Sequence, residues 1–318
     1  MSYQSDRKAS IKRLKLLVYN AKENIDLFRE KIEEEFSVAI LPNHVECEEA
    51  IFGDVICDLL SPEIFASNKI MLYIHGGSFV AGSRTSWRSF CSRLATKSFC
   101  KIVLPEFRLS PSHPFPASLE DVQSVFKAMY LKGNKEIIIA ADGSGASLAL
   151  ALIFSLNEHH RSAISKLVLL SPWLDFTNES HFENGKKKSD ELIQSATLTK
   201  CASVYTYAEN LSSPRVSPLV APSDSFKNFP ETFIQFGEKE LLKNDYKKLQ
   251  ELLNACNVTC TLDEWKNMMM FFQFADELLW ETHLAIEKLG NYISETKKNT
   301  NEISFENKPP LEQSIRHD

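Results

Sequence analysis

Residues 140–152, AADGSGASLALAL, follow the isoleucine run of EIIIA and open a stretch rich in alanine and leucine. A glycine-flanked turn between an apolar strand and a helix can hold a hydroxyl nucleophile for acyl transfer, because small neighbours let the two backbones approach. Here Gly143 stands where that serine is expected, and without a hydroxyl it cannot form an acyl intermediate. Two serines follow. Taking Ser144 as the nucleophile puts Asp142 and Ala146 at positions that call for small residues, and the aspartate would crowd the turn. Ser147 lies a turn inside the helix, pointing away from the turn. Read blandly, both are helix-start residues, with Ser144 near a capping position.

The elements that must position this turn are legible from hydrophobic period. KIMLYIHGG, residues 69–77, reads as a central strand feeding a glycine loop, and KIVL at 101, EIIIA at 136, KLVLLS at 166 and TFIQF at 232 read as further strands. CTLDEW at 260 is a weaker candidate for the last strand. Helix-length segments between them imply crossovers and a mostly parallel sheet with helices on both faces, an α/β fold. VECEEAIFGDVICDLLSP shortens the period towards two around Gly53 and Asp54, as a hairpin requires. Residues 1–43 read as an N-terminal helical segment and 44–293 as the main domain. Residues 177–212, which include the lysine-rich loop NGKKKSD at 184–190, interrupt the alternation as an inserted helical cap. Residues 294–318 are polar and aperiodic, and are expected to be a mobile tail.

The 318 residues, 43% hydrophobic, suffice for a sizeable core, and the net charge of −6 argues against a nucleic-acid-binding surface. Seven cysteines without paired short spacings describe no disulfide framework, and a reduced, cytoplasmic setting fits them. No window has the length of a membrane span. No residue cluster calls for a metal or another cofactor. The expected partner is a small apolar or ester-like molecule, and the oligomeric state is left open.

Four pieces in order give the chain a resemblance, over residues 44–290, to the hormone-sensitive-lipase branch of α/β-hydrolases, the esterases with an HGGG-type motif. They are HGGSFVAGS (His75 to Ser83), FRLSPSHPFPASLEDV (Phe107 to Val122), the turn at Gly143, and FGEKELLKND (Phe236 to Asp245) with EWKNMMMFFQFADEL (Glu264 to Leu278) behind it. The resemblance implies an α/β-hydrolase fold with a helical cap. It implies an oxyanion or ligand site at His75, Gly76, Gly77, Ser78 and Ser144, with Ser78 in place of a third glycine. It places the triad's acid at Glu240, its nucleophile at Gly143 and its base at Met270, and assigns Arg108 and its prolines to the wall of the site. A thioether has no titratable nitrogen near neutral pH and cannot take a serine proton. None of the eight histidines offers an obvious substitute; His283, after the last strand, reads as a helix-surface residue.

Two expectations follow. The leading one is an inactive relative of carboxylesterases and lipases that binds a small apolar or acyl-like ligand or a partner, in which serine at 143 with histidine at 270 would restore measurable ester turnover. The alternative is an active carboxylesterase on short acyl esters that uses Ser144 or Ser147.

Overall fold

The computed structural model describes residues 3–295 except 21, 38–40, 43, 135, 178–181, 184–185, 188–189 and 276–277. The polar tail from 296 and parts of the lysine-rich loop therefore lie outside the described residues. Two helices come first, α1 (Tyr3–Leu14) and α2 (Ile25–Phe36), joined through a 3-10 turn at Lys15–Leu17. α2 starts where Asn24 caps the amides of Asp26 and Leu27, and it buries Phe28, Ile32 and Phe36 at four-residue spacing.

The chain then alternates β1 (Val45–Phe52), β2 (Val55–Pro62), β3 (Lys69–Ile74), α3 (Arg84–Ser98), β4 (Lys101–Pro105), α4 (Ala117–Leu131), β5 (Glu136–Asp142), α5 (Gly145–Ser155), α6 (Glu158–Arg161) and β6 (Ile164–Leu170). A two-stranded hairpin of β7 (Phe182–Glu183) and β8 (Lys186–Lys187) follows, then α7 (Ser195–Tyr205), β9 (Glu231–Gly237), α8 (Lys243–Ala255), β10 (Cys260–Trp265) and α9 (Trp280–Ser294). The hairpin occupies part of the stretch that the sequence presents as a loop.

Among the described residues, eight strands form one sheet in the order β1-β2-β4-β3-β5-β6-β9-β10. The pairings of β1 with β2 and of β2 with β4 are antiparallel, and the remaining ones are parallel. Strand β3 is buried at every residue and β5 at all but its first, which explains their unbroken isoleucine, leucine and tyrosine content. Helix α5 is apolar nearly all round because it is buried from Gly145 to Ile153. Its first residue has to be glycine: a Cβ on Gly145 would lie 2.2 Å from the Ile74 carbonyl oxygen. That close approach draws the start of α5 against the end of β3 and fixes the turn between β5 and α5.

Candidate active site

Gly143 is the apex of that turn, with φ +47°, a left-handed conformation that glycine adopts freely. Its N–H donates to the Leu170 carbonyl at 3.0 Å and its carbonyl accepts from Trp173 N–H at 2.9 Å, so both its backbone groups are tied to the next strand and its loop. Beneath the turn, Asp142 is buried and its Oδ1 accepts from Tyr73 Oη at 3.0 Å, Gly76 N–H at 3.1 Å and Trp87 Nε1 at 2.9 Å. Burial pushes this carboxyl up to about 7 against the pull of those hydrogen bonds. Asp142 thereby fastens the glycine loop to the turn.

The loop after β3 takes left-handed φ three times in succession, at Gly77 (+97°), Ser78 (+58°) and Phe79 (+63°). Ser78 thus holds a conformation that a glycine would adopt more readily. Gly77 and Ser78 line a small cavity together with Gly143 and Ser144. His75 and Gly76 do not; the His75 ring stacks on Phe107 at 4.2 Å and its Nδ1 meets the Gly76 carbonyl at 2.8 Å. Desolvation pushes its imidazole down to about 4, so it packs as a neutral residue behind the loop.

Glu240 is buried at the end of the β9 loop, and its Oε1 accepts from Ser171 Oγ at 2.7 Å and Gly237 N–H at 2.6 Å while Oε2 accepts from Tyr246 Oη at 2.6 Å. Desolvation pushes it up to about 8. Glu240 is therefore an interior carboxyl with both oxygens occupied. Met270, 2% exposed, lines the same cavity as Gly143. The structure thus brings positions 143, 144 and 270 to one cavity and sets Glu240 behind them.

The next residue, Phe271, has no counterpart in the sequence reading. It too is left-handed, φ +58°, and its N–H donates to Ser171 Oγ at 3.2 Å. That backbone turns its ring over the elbow: a Cβ placed on Gly143 would lie 3.0 Å from Phe271 Cζ and 3.2 Å from Cε1. Leu17 and Val18 from the N-terminal segment and Ile193 and Leu198 from the insertion close the top, leaving about 20 Å³, room for about one water-sized group. Arg29 holds the N-terminal segment down by bonding the Val80 carbonyl at 2.7 Å and the Ser110 carbonyl at 2.9 Å.

The two serines differ. Ser147 Oγ donates to the Trp173 carbonyl, so its hydroxyl faces away from the cavity as an anchor for α5. Ser144 is 4% exposed, lines the cavity, and makes no side-chain cap bond to α5. Arg108 pairs with Asp121 and the first turn of α4 and does not line the cavity, so the wall assigned to it lies elsewhere. No described imidazole lines the cavity: His159 and His160 pack against Tyr130, His44 pairs with Glu63, and His283 packs on Trp280. His181 and His317 lie outside the described residues. Among the described residues no cluster of potential metal ligands occurs, and no helix is long and apolar enough to cross a membrane.

Residues 71–274 match the family described as alpha/beta hydrolase fold. An esterase of Acinetobacter venetianus is 32% identical over 232 residues, covering 72% of this chain and 76% of that one. An acetyl-hydrolase of Streptomyces hygroscopicus is 28% identical, covering 71% and 75%. Among solved structures, an esterase from the bacterial hormone-sensitive lipase family superposes with a TM-score of 0.82 at 25% identity, covering 92% of this chain and 99% of that one. On these matches and on its eight-stranded, mostly parallel sheet, the chain belongs to the α/β-hydrolase fold family, in the branch of the hormone-sensitive-lipase-like esterases.

Proposed function

We propose that this α/β-hydrolase-fold protein does not hydrolyse esters and instead uses the remnant site, capped by residues 1–43 and the 177–212 insertion, to bind a small acyl-like molecule. The observation that carries the reading is the Phe271 ring over Gly143: the atom that would attack an ester is lacking, and the space its side chain would need is filled from the base segment. Met270 supplies no proton acceptor, and Glu240 is bonded to Ser171, Gly237 and Tyr246 instead of an imidazole. The relatives named esterase and acetyl-hydrolase point to acyl compounds as the class to try. Oxyanion stabilisation without a triad leaves only about 10³–10⁴-fold acceleration over water, which is negligible for turnover.

The test is p-nitrophenyl butyrate hydrolysis with fluorophosphonate labelling of the unaltered chain. Near-background hydrolysis and no stoichiometric label are expected. Covalent labelling of Ser144 or Ser147 would overturn the reading in favour of an active carboxylesterase.

A further inference from the structure

The roof over the cavity is built from two segments that are not held equally. The insertion lends it Ile193 and Leu198, and the N-terminal segment lends it Leu17 and Val18. Asp190 fastens the insertion. Its Oδ1 accepts from the N–H groups of Leu192 and Ile193, and its Oδ2 accepts from Leu241 N–H at 3.0 Å, which ties Ile193 to the loop that carries Glu240. In the N-terminal segment, α2 is the firm half. It buries Phe28, Ile32 and Phe36, its Arg29 bonds the Val80 and Ser110 carbonyls, and its Glu33 accepts from the hydroxyls of Ser83, Thr85 and Ser86. Tyr19 belongs with it, since its ring centroid lies 5.2 Å from that of Phe28 and its Oη donates to the Glu23 carbonyl at 2.8 Å.

Helix α1 is the light half. Its buried residues are Ser10 and Leu14, so one large apolar side chain anchors it where three anchor α2. What ties α1 across the roof is charge. Arg7 Nη2 donates to both carboxylate oxygens of Glu191, at 2.9 and 2.8 Å, and the two side chains are 16% and 34% exposed. Such a pair is directional, yet at this exposure it is weakened by salt. Lys239 lies 3.6 Å from Glu191, so the glutamate keeps a cation beside it when Arg7 leaves. The other polar ties of α1 do not bridge the roof: Tyr3 Oη donates to Glu281 of α9 at 3.1 Å, and Arg13 pairs with Glu35 of α2 at 2.9 Å.

We propose that the Arg7–Glu191 pair is the latch of the cavity. On its release α1 and the turn after it lift from the insertion, while Tyr19 and α2 stay in place, and Leu17 and Val18 leave the roof with them. Ile193 and Leu198 remain, so the space above Gly143 and Met270 opens from the N-terminal side alone. With the latch closed the cavity offers about 20 Å³, too little for any acyl-like molecule, so the contact is autoinhibitory. From the proposed function this inference takes only that the cavity is where the ligand goes.

Entry can be read with hydrogen peroxide, a small oxidant that turns an accessible thioether into a sulfoxide. Met270 lines the cavity, whereas its neighbours Met268 and Met269 are equally buried and do not. The full chain is treated with peroxide, and peptide mass spectrometry gives the rate at each of the three methionines. Arg7→Ala is expected to speed oxidation of Met270 about two- to fivefold and to leave Met268 and Met269 as they were. Sodium chloride at about 0.5 M should do the same to the unaltered chain and add little to Arg7→Ala. If Arg7→Ala does not fold, Glu191→Gln and the salt series on the unaltered chain read the same latch. A Met270 rate that neither the substitution nor salt moves overturns the proposal. So does a parallel rise at all three methionines, which would make the pair a support of the whole fold. Ester turnover by the unaltered chain would instead refute loss of hydrolysis, and the oxidation rates are judged without any ester.

Discussion

Restoring a serine at position 143 puts the Phe271 plug under direct strain. The new Cβ would lie 3.0 and 3.2 Å from two carbons of the Phe271 ring, inside the 3.5–4.0 Å or so of a relaxed carbon contact. The φ of +47°, nearly free for glycine, adds about 1–2 kcal/mol for a side chain of the L series. Forcing atoms into a packed site adds about 1–3 kcal/mol. Gly143→Ser is therefore expected to destabilise by about 2–5 kcal/mol, a fall in Tm of roughly 3–8 °C. Phe271→Gly removes the clash, so in the Gly143→Ser background it should recover part of that fall, with a coupling of about 1 kcal/mol or more in a double-mutant cycle. Activity follows the same logic. Gly143→Ser with Met270→His completes the triad's residue types, and from the sequence alone it would restore turnover, but the Phe271 ring against position 143 leads us to expect hydrolysis of p-nitrophenyl butyrate near background instead. Only with Phe271→Gly added should turnover appear. Brisk hydrolysis by the double variant, or a Gly143→Ser protein as stable as the original, would show that the ring does not close this site.

Four further outcomes are expected. Glu240, pushed up to about 8 from an ordinary 4.5, keeps a proton in the folded chain that the unfolded chain releases. Its contribution to stability is complete below about pH 4.5 and is lost as pH rises towards 8, so Glu240→Gln should flatten the decline in urea-unfolding stability over that interval; an unchanged slope refutes the assignment. Phe99 ends α3 with φ +50° and is 47% exposed, so Phe99→Gly should stabilise by about 1 kcal/mol, read as a rise in Tm. Ser147→Ala should cost about 1 kcal/mol through the lost bond to the Trp173 carbonyl and leave residual ester reactivity unaltered; abolished reactivity would restore Ser147 as a nucleophile. Arg29→Ala strips the donors from the Val80 and Ser110 carbonyls, and limited proteolysis should then cut the N-terminal 36 residues faster than in the unaltered chain.

The sheet was readable because burial on both faces leaves no alternation to confuse: Ile137, Ile138 and Ile139 of β5 could hardly be anything but a central strand. Even CTLDEW, with its polar residues, pairs with β9 from Cys260 to Trp265, since an edge strand may carry a wet face. The hairpin of Phe182–Glu183 with Lys186–Lys187 was not readable, because two-residue strands are too short to display a period. At the site, residues 143 and 270, far apart in sequence, line one cavity, as the spacing of the two segments suggests. Phe271 is not legible in the sequence, because nothing local says where its ring goes. That direction is set by a left-handed backbone held to Ser171, a hundred residues away in the chain.

Gly143 and Phe271 explain one another. A side chain at 143 would press on the Phe271 ring, which would have to give by a few tenths of an ångström, and a glycine at 143 without the ring would leave a void, which is unfavourable by roughly 20–25 cal/mol per Å³. The two positions are therefore expected to couple, so that changing either alone should cost more than their separate effects suggest. The acid fits the same account. Glu240 accepts from Ser171, Gly237 and Tyr246, and Ser171 in turn accepts from the Phe271 amide, so the carboxyl supports the backbone that aims the plug. Removing it by Glu240→Ala would leave buried donors unpaired, at about 1–3 kcal/mol each, and should loosen Phe271. On the proposed reading the buried Glu240 serves to hold the Phe271 backbone, and its loss should make the cavity more open to ligands.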